Sequence, residues 1–109
     1  MDTKRYTSEE WERLMTSMLR EGDALDMIGF KIMEFEQRHG VKPTMCYIHK
    51  SLQSAVLVAA RRQVGLEGSH FQFGFPMVLD GVIVTPSMAL SDDFYLKLYE
   101  GRTQKIEML

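Results

Sequence analysis

Up to Gly40 the apolar residues recur every three to four positions, and beyond Pro43 they mostly alternate, so the pattern predicts a helical first part and a sheet-forming second part. Thr7-Ser8-Glu9-Glu10 reads as a capping box opening a helix. Trp11, Leu14, Met15, Met18 and Leu19 share one face of it, with Glu12, Arg13, Thr16 and Arg20 opposite. Gly22 ends this helix, and Asp23 can cap the next. The second helix, over roughly 24–38, carries Leu25, Ile28, Ile32 and Phe35 on one stripe, broadened by Met27, Phe30 and Met33. His39-Gly40 closes it through the left-handed conformation that glycine adopts cheaply. Two helices joined by so short a link predict an αα-hairpin.

Thr44–His49 predicts a strand that sends Cys46 and Ile48 to one side and Met45, Tyr47 and His49 to the other. Ser51 is expected to cap a third helix, whose buried face is Leu52, Ala55, Val56, Ala59 and Ala60. Phe71, Phe73 and Phe75 alternate with His70, Gln72 and Gly74, which predicts another strand. Met77-Val78-Leu79 and Val82-Ile83-Val84 flank Asp80-Gly81, a pair that supplies the positive φ values of a type I′ turn. Pro86 is expected to interrupt the second arm of that hairpin, and Ser87–Asp93 to form a loop. Phe94, Leu96 and Leu98 then alternate with Tyr95, Lys97 and Tyr99 in a last strand. Gly101–Leu109 reads as a tail that frays or reaches a neighbour. The order α-α-β-α-β-β-β-β defines an α+β fold of one domain over 1–109: an N-terminal αα-hairpin, then β-α-β-β-β-β, with helices mainly on one face of a largely antiparallel sheet.

The hairpin bears on function because both its faces are apolar. Leu79, Val82, Met77 and Val84 line one side, and Val78 and Ile83 the other. The chain also holds nine methionines, whose adaptable side chains suit interfaces. Met15, Met18, Met27, Met33, Val78 and Ile83 therefore form a candidate interface, and a homo-oligomer or a protein partner is expected. Tyr47, His49, His70, Gln72, Tyr95, Lys97 and Tyr99 form a second, amphipathic row away from the helices. That row either packs against the αα-hairpin, loops or another subunit, or binds a peptide or single-stranded nucleic acid by stacking. The formal net charge of −2 disfavours nucleic acid.

Hydrophobic and charged contents of 45% and 26% are those of an ordinary soluble globular domain. One cysteine, Cys46, excludes an intramolecular disulfide and a multi-cysteine zinc site. No run of about 18 apolar residues is present, and the acidic, Trp-containing start does not read as a signal peptide, so no membrane association and a cytoplasmic location are expected. Candidate chemistry is thin. Cys46 and His49 are three residues apart, yet strand parity puts them on opposite faces, so no nucleophile–base pair forms. His39, His49 and His70 lack a metal-ligand spacing. Asp92-Asp93 shapes a turn, Glu34 and Glu36 do not face each other on a helix, and Arg61-Arg62 complements a helix C-terminus. The reading is a non-enzymatic assembly or protein-interaction protein, with no catalytic residue, cofactor or metal assigned. The alternatives are a single-stranded nucleic-acid-binding module on the aromatic face, and a small enzyme with a pocket made by His49 and His70.

The run Gly40-Val41-Lys42-Pro43-Thr44-Met45-Cys46-Tyr47-Ile48-His49, the helix after it, Leu79–Met88 and Phe94-Tyr95-Leu96 together resemble bacteriophage structural proteins. In tailed-phage major capsid subunits a Pro-Thr strand ending near a His is similarly followed by a helix, and later by a Leu-x-Gly-x-x-Val strand. The resemblance covers residues 40–98, about half the chain. This chain is far shorter than a capsid subunit and has Val82-Ile83 where that pattern often has proline. The resemblance implies a small phage- or prophage-type protein with a related strand-helix-hairpin unit, and it carries over no catalytic residue.

Overall fold

A computed structural model of the chain describes residues 7–10, 12–13, 24–63 and 74–109. Helix α1 is Ala24–His39 and helix α2 is Gln53–Gln63; strands β1 to β5 are Met45–His49, Met77–Leu79, Val82–Ser87, Leu96–Glu100 and Lys105–Met108. The five strands form one sheet in the order β2-β3-β1-β4-β5. β1 and β3 run parallel, and the other three neighbouring pairs are antiparallel. The fold is thus mixed α+β with a mostly antiparallel sheet. Ser8–Glu10, Glu12 and Arg13 are helical, and the Thr7 hydroxyl accepts from Glu10 N–H at 3.2 Å as the capping box predicts. The apolar face of that first helix, the expected αα-hairpin and positions 71–73 of the phenylalanine-rich strand lie outside the described residues. Of that strand's remainder, Gly74 and Phe75 are not in strand conformation.

One face of the sheet makes the core. Cys46 and Ile48 of β1, Val82 and Val84 of β3, and Leu96 and Leu98 of β4 are fully buried against Ile28, Ile32 and Phe35 of α1 and Ala55, Val56 and Ala59 of α2. Each large side chain buried in this way contributes roughly 1.5–3 kcal/mol relative to exposure. The alanines of α2 keep that helix close to its neighbours. Gly40 ends α1 at φ +74°, its N–H donating to Glu36 O at 2.8 Å. Asp80 and Gly81 both have positive φ, 51° and 79°, and the hairpin pairs Met77 with Val84, Val78 with Ile83 and Leu79 with Val82. This is the I′ register that the Asp-Gly pair predicts.

Three expectations need correction. Pro86 does not interrupt β3, which runs on to Ser87 and pairs Pro86 with Ile48. The physical reason is parity: Ile83 N–H donates toward β1, to Thr44 O, so even-numbered residues of β3 present their nitrogens to the β2 side. β2 pairs no further than Val84, so the donor that Pro86 lacks would have met no strand. The C-terminal segment is not a fraying tail but β5, whose Glu107 forms a bidentate pair with Arg38 at the end of α1, 2.8 Å from Nε and 3.1 Å from Nη2. Finally, Ser51 does not cap the third helix. A 3₁₀ turn, Lys50–Leu52, precedes α2, and its N-cap is His49, whose ring accepts from Ser51 N–H.

Candidate functional site

The sheet face opposite the helices carries one residue from each strand in a single row. Register places Val78, Ile83, Met45, Tyr99 and Ile106 side by side across β2, β3, β1, β4 and β5. A second row holds Thr85, Tyr47, Lys97 and Met108. Among the described residues this face is not covered by a second layer: Val78 is 71% exposed, Ile106 50% and Ile83 40%. Period-2 alternation forces this outcome, because the partners that face the helices leave these residues on the other side.

The predicted binding face is thus assembled only in part. Tyr47, Lys97 and Tyr99 do converge, lining a groove of about 210 Å³ with Ser87 and Ile106. Tyr95 does not join them: it precedes β4 and packs against the core, its N–H donating to Leu109 O at 2.7 Å. His49 does not join them either, being buried at 2% exposure beneath the β3–β4 connection. His70 and Gln72 lie outside the described residues. Of the predicted interface, Val78, Ile83 and Met33 are exposed, Met27 is half-buried against the core, and Met15 and Met18 lie outside the described residues.

His49 has a structural assignment that its hydrogen bonds fix. Its Nδ1 accepts from Ser51 N–H at 3.1 Å, so the ring proton is assigned to Nε2, which donates to Asp92 Oδ1 at 2.6 Å. Both nitrogens are engaged, and the ring ties the end of β1 to the β3–β4 turn. In this arrangement both ring nitrogens are taken up in holding the turn. No sequence pattern connects positions 49 and 92; only the fold brings them together. Cys46 is buried in the core, and burial pushes its thiol up to about 12, so it stays protonated and unreactive at neutral pH.

Another buried polar group, Glu100, was not singled out by the sequence. Its carboxylate accepts from Thr103 Oγ1 at 2.6 Å, Thr103 N–H at 2.7 Å and Arg102 N–H at 3.0 Å, organising the β4–β5 turn. The Thr103 hydroxyl first, then the two backbone donors, hold its carboxyl below the ordinary value of 4.5 and outweigh the opposing effect of burial. A folded-state value lowered in this way stabilises the fold above the unfolded carboxylate range, and that stabilisation is lost as pH falls through the folded value. The stability gap between the wild type and Glu100→Gln is therefore constant near neutrality and shrinks as pH falls through and below the ordinary carboxylate range, which thermal melts over an acid pH series check. A gap that widens on acidification would contradict the assignment.

A cavity of about 660 Å³ lies near this turn and is lined by Lys42, Thr44, Gly81, Glu100 and Arg102 among others. Two of its charged groups are already engaged: Lys42 Nζ sits 3.1 Å from Asp80 Oδ2, and the Glu100 carboxylate accepts from Arg102 and Thr103 within its own turn. The cavity is thus a junction of three connections. Among the described residues no cluster of three or more His, Cys, Asp or Glu side chains could hold a metal ion, and no helix is long and apolar enough to cross a membrane. No protein-family model matches the chain, and neither a curated protein nor a solved structure does.

Proposed function

We propose that the protein acts without catalysis, as an assembly or protein-interaction module whose contact surface is the sheet face opposite the helices, uncovered among the described residues. The observation that carries this reading is the row Val78, Ile83, Met45, Tyr99 and Ile106, which runs across all five strands. A contiguous exposed apolar row on a small domain marks an interaction surface, since scattered single residues would need no explanation. A phage or mobile-element origin is supported by the sequence resemblance over 40–98, within which the strand-helix-hairpin order recurs from Met45 to Ser87. A reducing compartment such as the cytoplasm suits a chain whose lone cysteine is a buried thiol. Stacking of single-stranded nucleic acid on Tyr47 and Tyr99 is the weaker reading, because among the described residues Lys97 is the sole charged side chain that register places on this face.

Site-specific photo-crosslinking in the cells that make the protein tests the reading. A benzophenone side chain at Val78 or Ile106 is expected to give discrete protein adducts, and one at the exposed Ser54 on α2 none. Equal labelling from all three positions, or none from any, would remove the proposal.

A further inference from the structure

The open face is not uniform along β4. The groove of about 210 Å³ lined by Tyr47, Tyr99 and Ile106 shares Ser87 and Lys97 with a second depression of about 190 Å³ that includes Leu90, Phe94 and Met108. The two depressions adjoin at Ser87 and Lys97, and we treat them as one channel with Lys97 between its ends. Lys97 is half-buried, and its ammonium lies 5.7 Å from the centroid of the Tyr47 ring. Among the described residues no carboxylate reaches ion-pair distance of it, whereas Lys31, Arg38 and Lys42 each have one. A partly desolvated cation resting on a ring, with apolar walls at both ends, is an arrangement an anion between two apolar groups would complete.

Resting on the interaction reading, we propose that this channel receives a segment of another protein in which one Asp or Glu is flanked on both sides by apolar residues. The carboxylate meets Lys97 Nζ. The apolar side chains meet Tyr99 and Ile106 at one end and Phe94 and Met108 at the other. Tyr99 stands two residues from Lys97 on the same side of β4, roughly 6–7 Å away, so an apolar residue two positions from the acid in an extended segment can reach it.

Size and charge choose this occupant over a second copy of the same face. Five strands of about five residues present a footprint of roughly 400 Å², about half the 800 Å² per partner typical of a stable complex. A copy would also bring another ammonium and no carboxylate to meet Lys97. Nucleic acid would need several cations along its backbone, and this channel offers one.

The test uses the whole chain, isotope-labelled, and a capped synthetic peptide Gly-Leu-Ser-Glu-Ser-Leu-Gly titrated to millimolar concentration while backbone amide shifts are followed. Shifts confined to the amides around Tyr47, Ser87, Lys97 and Met108 are expected. Lys97→Glu is expected to weaken binding about tenfold or more, Lys97→Met less, and Lys97→Glu to gain binding of the peptide with Lys in place of Glu. Lys97 projects from the open face, so circular dichroism should show both variants folded. An absence of shifts at these amides, or equal affinity of the wild type for the Glu and Lys peptides, would overturn the proposal. Shifts there with an oligothymidylate but not with the peptide would overturn it in favour of nucleic acid. If cross-links form at Val78 and Ile106 while the peptide does not bind, this inference fails and the interaction reading stands.

Discussion

Replacing His49 with alanine lowers the free energy of unfolding by about 2–4 kcal/mol, measured by urea denaturation at neutral pH. Two costs add. The ring is 2% exposed, so its removal opens a cavity, and Ser51 N–H loses its acceptor. Asp92→Ala costs less, about 1 kcal/mol, because its carboxylate is 75% exposed and water replaces much of what it loses. The double variant is less destabilised than the two single losses summed, by about 1 kcal/mol, since the second change removes a bond already broken. A loss below about 0.5 kcal/mol for His49→Ala would contradict this assignment and show that the ring is a surface group.

The same residue shows where sequence reasoning stops. Alternation along 44–49 correctly separates Cys46 and Ile48 from Met45 and Tyr47, because period 2 holds wherever the backbone stays extended and paired. At His49 the chain turns from strand into the 3₁₀ turn, and position 92, distant in sequence, supplies the partner that buries the ring. Tyr95 fails for a related reason: it precedes β4, so the parity of Lys97 and Tyr99 does not extend to it. The hairpin at 77–84 was legible to the register because Asp-Gly specifies both the turn and the residues facing each other. β5 was not, since Lys105-Ile106-Glu107-Met108 is a short edge strand whose place depends on Arg38 meeting Glu107. Pro86 misleads because a proline is tolerated or not according to which neighbour its nitrogen faces, and that follows from strand order rather than from local sequence. Of the candidate site, the apolar hairpin face and the Tyr47, Lys97 and Tyr99 cluster were legible; the closure of the row across β1 and β5 required the pairing itself.

Adjacent substitutions in β3 should separate fold from contact. Val84 is fully buried and Ile83 is 40% exposed, although they are neighbours in the chain. Val84→Asp would place a carboxylate beside Cys46 in the apolar core with no partner, a cost of about 4 kcal/mol or more, enough to unfold a domain of ordinary stability. Circular dichroism should show a lost or strongly lowered melting transition. Ile83→Asp puts its charge in water on the open face, so stability changes by no more than about 1 kcal/mol. Its effect falls instead on association: photo-adducts from a benzophenone at Val78, the cross-strand neighbour of Ile83, should drop about tenfold or more in cells, as expected when one central apolar contact is lost. If Ile83→Asp unfolds the protein as readily as Val84→Asp, the sheet has a second covered face and the contact surface must be sought elsewhere. If it leaves both the fold and the adducts unchanged, partners do not read this row. Only the combination of an intact fold with lost adducts is consistent with a sheet that builds its core on one side and meets its partner on the other.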